Sequence, residues 1–142
     1  MRRGFTLAEL AVLLAILAMV TAITVPRLQG LLDWIAVDTA AQEVTTAVAV
    51  TRYAAIMQGG RRRLVIRRDS LRIDRWVGDS WTSLERWPGP DRHGVDLEVS
   101  NPEVVFDPIG LAWGLSNTKV VLRRGVRSET ITLSRLGRVK RW

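Results

Sequence analysis

Cysteine is absent from this chain, and histidine occurs once, at position 93. Without cysteine there is no disulfide framework, so the fold has only its core to hold it, and metal sites built on Cys or His are all but excluded. Aromatic residues are sparse at 6%, and most of them are tryptophan. Charge is scarcest near the N-terminus, where the 21 residues from Phe5 to Val25 carry one charged side chain, Glu9. At about 1.5 Å per residue that run reaches roughly 30 Å, the thickness of a bilayer's hydrocarbon core. It is too long for the apolar segment of a secretory signal, which runs about 7–15 residues before a small-x-small cleavage site. One membrane anchor and one small domain, whose core is modest, fill the 142 residues.

A lone carboxylate in hydrocarbon costs about 2.5–3.5 kcal/mol on insertion scales and demands a partner charge. A cut after Gly4 would supply one, because Glu9 of one subunit can neutralise the new α-amino group on Phe5 of a neighbour when such helices pack side by side. The stretch Gly4-Phe5-Thr6-Leu7-Ala8-Glu9, followed by an apolar helix, resembles the class III signal of type IV pilins and type II secretion pseudopilins. The resemblance implies that a prepilin peptidase cuts after Gly4 and methylates Phe5, and that Glu9 is the assembly carboxylate. Pro26 matches a proline common in pilin helices. Arg2 and Arg3 precede the span and hold the N-terminus in the cytoplasm by the positive-inside rule, which places the head in the periplasm. The expected location is the inner membrane, single-pass, with movement into a periplasmic or extracellular filament on assembly.

After Pro26 the apolar residues keep helical spacing, with Leu28, Leu31, Leu32, Ile35, Val44, Ala47, Val48, Ala55 and Ile56 recurring at three- and four-residue steps or multiples of a turn. Asp33, Asp38, Gln42, Glu43 and Arg52 fall mostly on other faces. The pattern predicts one helix from Phe5 to Gln58, stopped by Gly59-Gly60, with a weak point at Pro26 and Gly30. From Arg61 the period changes to two. Leu64 and Ile66, then Leu71 and Ile73, predict a hairpin turning at Asp69-Ser70, and Gly78-Asp79 a second turn ahead of a strand from Trp81 to Trp87. Residues 88–94 read as a loop, and 95–99, 104–106, 119–124 and 129–135 as short strands. The expected class is α+β: a long N-terminal helix, membrane-spanning in its first half, packed against an antiparallel sheet in one layer or two.

The head is similar to the GspH/FimT group of minor pilins and pseudopilins in three features. An Ala-rich helix leads into a Gly-Arg turn at Gly60-Arg61, Phe106 to Gly110 reads Phe-Asp-Pro-x-Gly, and a terminal strand closes on Gly137-Arg138. The implied pilin-like layout is a leader (1–4), a transmembrane and assembly helix (5–25), its amphipathic continuation (26–60) and a β-rich periplasmic head (61–142).

Nothing in the sequence has the pattern of a catalytic site, and no enzyme activity, metal or cofactor is expected. His93 sits in a Pro/Gly loop and reads as a surface histidine. Asp91, Asp96, Glu98 and Glu103 lack the spacing of a calcium loop and read as a solvated face. Trp76, Trp81, Trp87 and Trp113 read as sheet core or cross-strand partners, and Trp34 as an interface residue just beyond the membrane.

Charge is polarised within the head. Residues 61–75 hold seven basic and two acidic side chains, 76–118 two and seven, and 119–142 eight and one. The stretch Arg138 to Trp142 is too polar for a core and is expected to project. FimT-type minor pilins resemble one another in a C-terminal Gly-Arg-x-Arg element associated with DNA capture during natural transformation. Gly137, Arg138 and Lys140 match it here; lysine keeps the charge and loses the bidentate geometry, with Arg141 as compensation. The candidate DNA-binding residues are Arg61, Arg62, Arg63, Arg67, Arg123, Arg124, Arg138, Lys140, Arg141 and Trp142, a strip for phosphates with a stacking ring at its end.

Three readings follow. The first is a minor pilin or pseudopilin that initiates or caps a type IV pilus or a type II secretion pseudopilus, partnered by other pilins, the prepilin peptidase and the inner membrane. The second makes the same subunit a DNA receptor. The third docks an acidic secretion substrate, or another minor subunit, on the basic surface.

Overall fold

The computed structural model describes residues 6–113 and 117–142. Helix α1 runs Leu7–Met57, unbroken through Pro26 and Gly30, so the expected weak point is helical. It begins at a capping box: the Thr6 hydroxyl accepts the Glu9 N–H at 3.2 Å, and Glu9 Oε2 accepts the Thr6 N–H at 2.8 Å and its hydroxyl at 3.0 Å. It ends at Gly59, in the left-handed region at φ 61°, where the Gly60 N–H reaches back to the Ala55 carbonyl at 3.3 Å. Within the apolar stretch, the Thr21 and Thr24 hydroxyls donate to the Leu17 and Val20 carbonyls at 3.0 and 2.8 Å, so the helix satisfies its own polar atoms.

The chain divides after Leu32 into two compact units. The first is the opening part of α1. It is apolar on every side, with a mean hydropathy of 2.4 over 18 residues and none of them buried. That makes it long and apolar enough to cross a membrane, and a helix greasy all round needs apolar surroundings.

The second unit, Asp33–Trp142, joins the rest of α1 to the strands, nine among the described residues. They are β1 (Arg62–Ile66), β2 (Ser70–Val77), β3 (Ser80–Pro88), β4 (Asp96–Val99), β5 (Glu103–Phe106), β6 (Ala112–Trp113), β7 (Thr118–Arg124), β8 (Arg127–Leu133) and β9 (Val139–Arg141). They form two antiparallel sheets, one in the order β3-β2-β1-β5-β6 and one in the order β4-β7-β8-β9. The first hairpin turns one residue earlier than its sequence suggests. The Arg67 N–H bonds the Ser70 carbonyl at 2.9 Å, which places Arg68 and Asp69 at the tip and Ser70 in β2. The second turn has positive φ at both Gly78 and Asp79, the geometry that matches strand twist. Strand β8 starts two residues before the predicted Glu129, and β6 is too short to leave a periodic signal.

The tail does not project. Val139 pairs with Leu133 and Arg141 with Ile131, and Trp142 exchanges both backbone bonds with Thr130 at 2.9 and 3.2 Å. Polar side chains suit this position, because β9 is a sheet edge.

Leu64, Ile66, Leu71, Ile73, Val104 and Phe106 of the first sheet, with Val120, Leu122, Ile131 and Leu133 of the second, pack on α1. The helix meets them with Ala36, Val37, Ala40, Ala41, Val44, Ala47, Val48 and Ala55. The predicted stripe is therefore only partly the buried one, since Ile35 and Ile56 are exposed. The helix side of this core is built largely from alanine and valine, and the larger side chains that fill it come from the strands.

Candidate assembly and binding surfaces

At the N-terminal end, both Thr6 bonds to Glu9 fall on Oε2. The predicted cleavage and methylation residues, Gly4 and Phe5, lie outside the described residues. Pro26 lies within α1 on an exposed part of the helix.

On the head's share of α1, three carboxylates each meet a nitrogen-bearing side chain from the β-rich part, two arginines and a histidine. Asp33 Oδ1 lies 2.9 Å from Arg124 Nε, Asp38 Oδ1 2.5 Å from Arg141 Nη2, and Glu43 Oε1 3.1 Å from His93 Nε2. Arg124 also donates to the His93 carbonyl, and Arg141 to Glu129. The bond to Glu129, followed by the one to Asp38, holds the Arg141 pKa above its ordinary value against the opposing effect of burial. Two members of the predicted DNA strip, Arg124 and Arg141, are thus engaged in fastening the second sheet to the helix. His93 is a half-buried partner of Glu43 rather than a free loop residue.

The two glycine motifs of the sequence meet on Arg52. Its Nε donates to the Gly110 carbonyl at 2.9 Å, and a β-carbon on Gly137, where φ is 73°, would stand 2.7 Å from the same nitrogen. A backbone bond of 2.9 Å from Ala112 to the Arg135 carbonyl ties the loops together. Both motifs therefore have a packing reason: the two loops can close over a helix arginine only where a side chain is missing.

The basic block at 61–63 splits in three directions. Arg62 points inward because its neighbours Leu64 and Ile66 do, and it is 2% exposed. Its guanidinium donates to Gln58 Oε1 at 2.5 Å and the Arg61 carbonyl at 3.2 Å, near the electronegative end of α1. Desolvation, and then the charge of Arg75, lower its pKa. A side chain sealed in this way cannot touch DNA, so Arg62 leaves the candidate strip. Arg63 faces out, bound to Asp74 at 2.7 Å and Glu103 at 3.1 Å, while Arg61 lies with its Cζ 4.5 Å over the Trp113 ring.

Of the remaining candidates, Arg67 is exposed beside the first hairpin turn, and Arg123 stands 3.6 Å from Glu98. Arg138 and Lys140 are exposed on and beside β9, with the Lys140 ammonium 5.2 Å from the ring of Trp142. The strip is therefore divided: Arg61 and Arg63 belong to one sheet, Arg138, Lys140 and Trp142 to the edge of the other. Three of the four carboxylates of the predicted acidic face are paired, Asp96 with Arg68, Glu98 with Arg123 and Glu103 with Arg63, and Asp91 is exposed. Among the described residues, no three His, Asp or Glu side chains converge as a metal site would need. Trp87 packs against the core, whereas Trp113 is 65% exposed and is not a core residue.

No family model matches the sequence, and no curated protein matches it either. Solved structures do. The type IV minor pilin FimU of Pseudomonas aeruginosa superposes in two crystal forms. One has a TM-score of 0.64 at 14% identity over 73% of this chain and 86% of FimU; the other has a TM-score of 0.62 at 14% identity over 74% and 91%. The minor pseudopilin EpsH from the type 2 secretion system of Vibrio cholerae superposes with a TM-score of 0.61 at 12% identity, over 75% of this chain and 95% of EpsH. A long N-terminal helix packed on two antiparallel sheets thus gives this chain the fold of the minor pilins and minor pseudopilins.

Proposed function

We propose that this chain is a minor pilin or pseudopilin, a structural subunit that initiates or caps a type IV pilus or a type II secretion pseudopilus. The observation that carries the reading is a helix apolar on all sides in its first part, in a chain whose fold is that of minor pilins. A prepilin peptidase cuts after Gly4 and methylates Phe5, and the subunit waits in the inner membrane with its head in the periplasm. On assembly the apolar helices pack side by side. Thr6 holds Glu9 through Oε2, and Oε1, which has no hydrogen-bond partner among the described residues, takes the Phe5 amine of a neighbour. Because an unpaired charge in an apolar bundle is costly, this pair both drives assembly and sets its register. Glu9→Leu should therefore remain in the membrane fraction and be missing from sheared, purified filaments. Normal incorporation of the variant would overturn the mechanism.

A second reading, DNA capture, is favoured by the exposed Arg138 and Lys140 beside the open ring of Trp142. The cation positions phosphates and the indole offers a face to a base.

A further inference from the structure

The outer face of the first sheet carries an arrangement that core packing does not use. Strand register sets Trp81 opposite Trp76, and Val105 opposite both Arg63 and Trp113. With strands about 4.8 Å apart, Trp76 on β2 and Trp113 on β6 are separated by about 14 Å across the sheet and by two residues along it. Between them lie Arg61 and Arg63. Arg61 sits over Trp113 with its Cζ 4.5 Å from the ring centroid, Arg63 over Trp81 at 4.7 Å, and the Trp76 and Trp81 rings meet edge to face at 5.0 Å.

Indoles whose task is packing are sealed, and these are wet: Trp113 is 65% and Trp76 37% exposed. The two arginines are also unequal. Asp74 and Glu103 neutralise Arg63, whereas Arg61 has no carboxylate partner among the described residues. The face therefore offers exposed π surfaces, a guanidinium over one of them, and a positive charge with no carboxylate partner among the described residues.

We propose that this face binds single-stranded nucleic acid. Bases stack on Trp113 and Trp76, the Arg61 guanidinium holds the intervening phosphate or continues the stack, and Arg63 with Trp81 forms the rigid floor. The strand must be single because a duplex hides the faces of its bases. A plain acidic peptide would satisfy the charge and leave the indoles unused. The proposal rests on reading the head as a nucleic-acid binder, and it moves the site from β9 to the other sheet.

The test uses the full-length chain in nonionic detergent and a labelled oligothymidylate of about 16 nucleotides at low salt, read by fluorescence anisotropy. Binding is expected to quench tryptophan emission, to weaken steeply with salt, and to exceed that of a duplex of equal length. Trp113→Ala combined with Arg61→Gln should weaken it by about tenfold or more, Trp113→Phe should retain most of it, and Arg138→Ala with Lys140→Ala should weaken it less than the Trp113→Ala/Arg61→Gln pair does. Loss only in the β9 variant would overturn this site while sparing the nucleic-acid reading. Absence of binding to either oligonucleotide would overturn both, and equal binding of the duplex would overturn the stacking.

Discussion

Arg141, in the last strand, holds Asp38 of the helix at 2.5 Å across 103 residues of sequence. The same guanidinium grips Glu129 on the neighbouring strand, so one side chain ties β9 to β8 and both to α1. A residue that the sequence offers as a free cation for a ligand is instead a fastener.

Removing it should cost stability and nothing more. Arg141 and Asp38 keep about a third of their side-chain surface in water, which limits each pair by solvent screening. Arg141→Ala is expected to destabilise the head by about 1 kcal/mol and to lower its melting temperature by about 4 °C. Asp38→Ala in the Arg141→Ala background should then add little. Calorimetry of both single variants and the double variant measures the coupling.

The closure of two loops on Arg52 makes a sharper prediction. Gly137→Ala places a methyl against Arg52 and adds strain at a φ of 73°, so a loss of about 2 kcal/mol is expected. Arg52→Ala in the same chain removes the collision and should recover part of it, leaving the backbone strain. A melting temperature for Gly137→Ala equal to wild type would show that the loop moves freely and that the glycine motif needs another explanation.

Arg62 and Arg75 are register partners on β1 and β2; Arg75 is exposed, while Arg62 is sealed among Gln58, Gly60 and the strand backbone. Exchanging the like charge for an opposite one should stabilise the fold. Arg75→Glu is expected to raise the melting temperature by a few degrees, about 1 kcal/mol, and Arg75→Gln by less. Urea titration of the two variants checks the order.

The pattern of what sequence revealed has a physical logic. The stop at Gly59-Gly60 and the turn at Gly78-Asp79 are local, since each is set by residues within a few positions. Strands β1 and β2 were legible from the alternation of Leu64, Ile66, Leu71 and Ile73. Alternation also implies that Arg62 faces inward, but a run of three arginines reads as a basic patch unless each is assigned a side. Other features were invisible because they depend on distant partners. Nothing near Asp33, Asp38 or Glu43 announces Arg124, Arg141 or His93, and nothing near Trp113 announces Arg61. The buried face of α1 also depends on distant partners: Ala36, Ala40 and Ala41 carry a weak hydrophobic signal yet are buried in the core, while Ile35 and Ile56 are exposed.

The account turns on a new N-terminus at Phe5, since without that amine Glu9 has no counter-charge to find in a neighbouring subunit. Intact-mass and N-terminal fragment spectra of the chain purified from membranes of cells carrying a prepilin peptidase test it directly. The prediction is a polypeptide that starts at Phe5 and carries one N-methyl group. A product that retains Met1, or one that begins downstream of Ala22, would contradict the assembly mechanism.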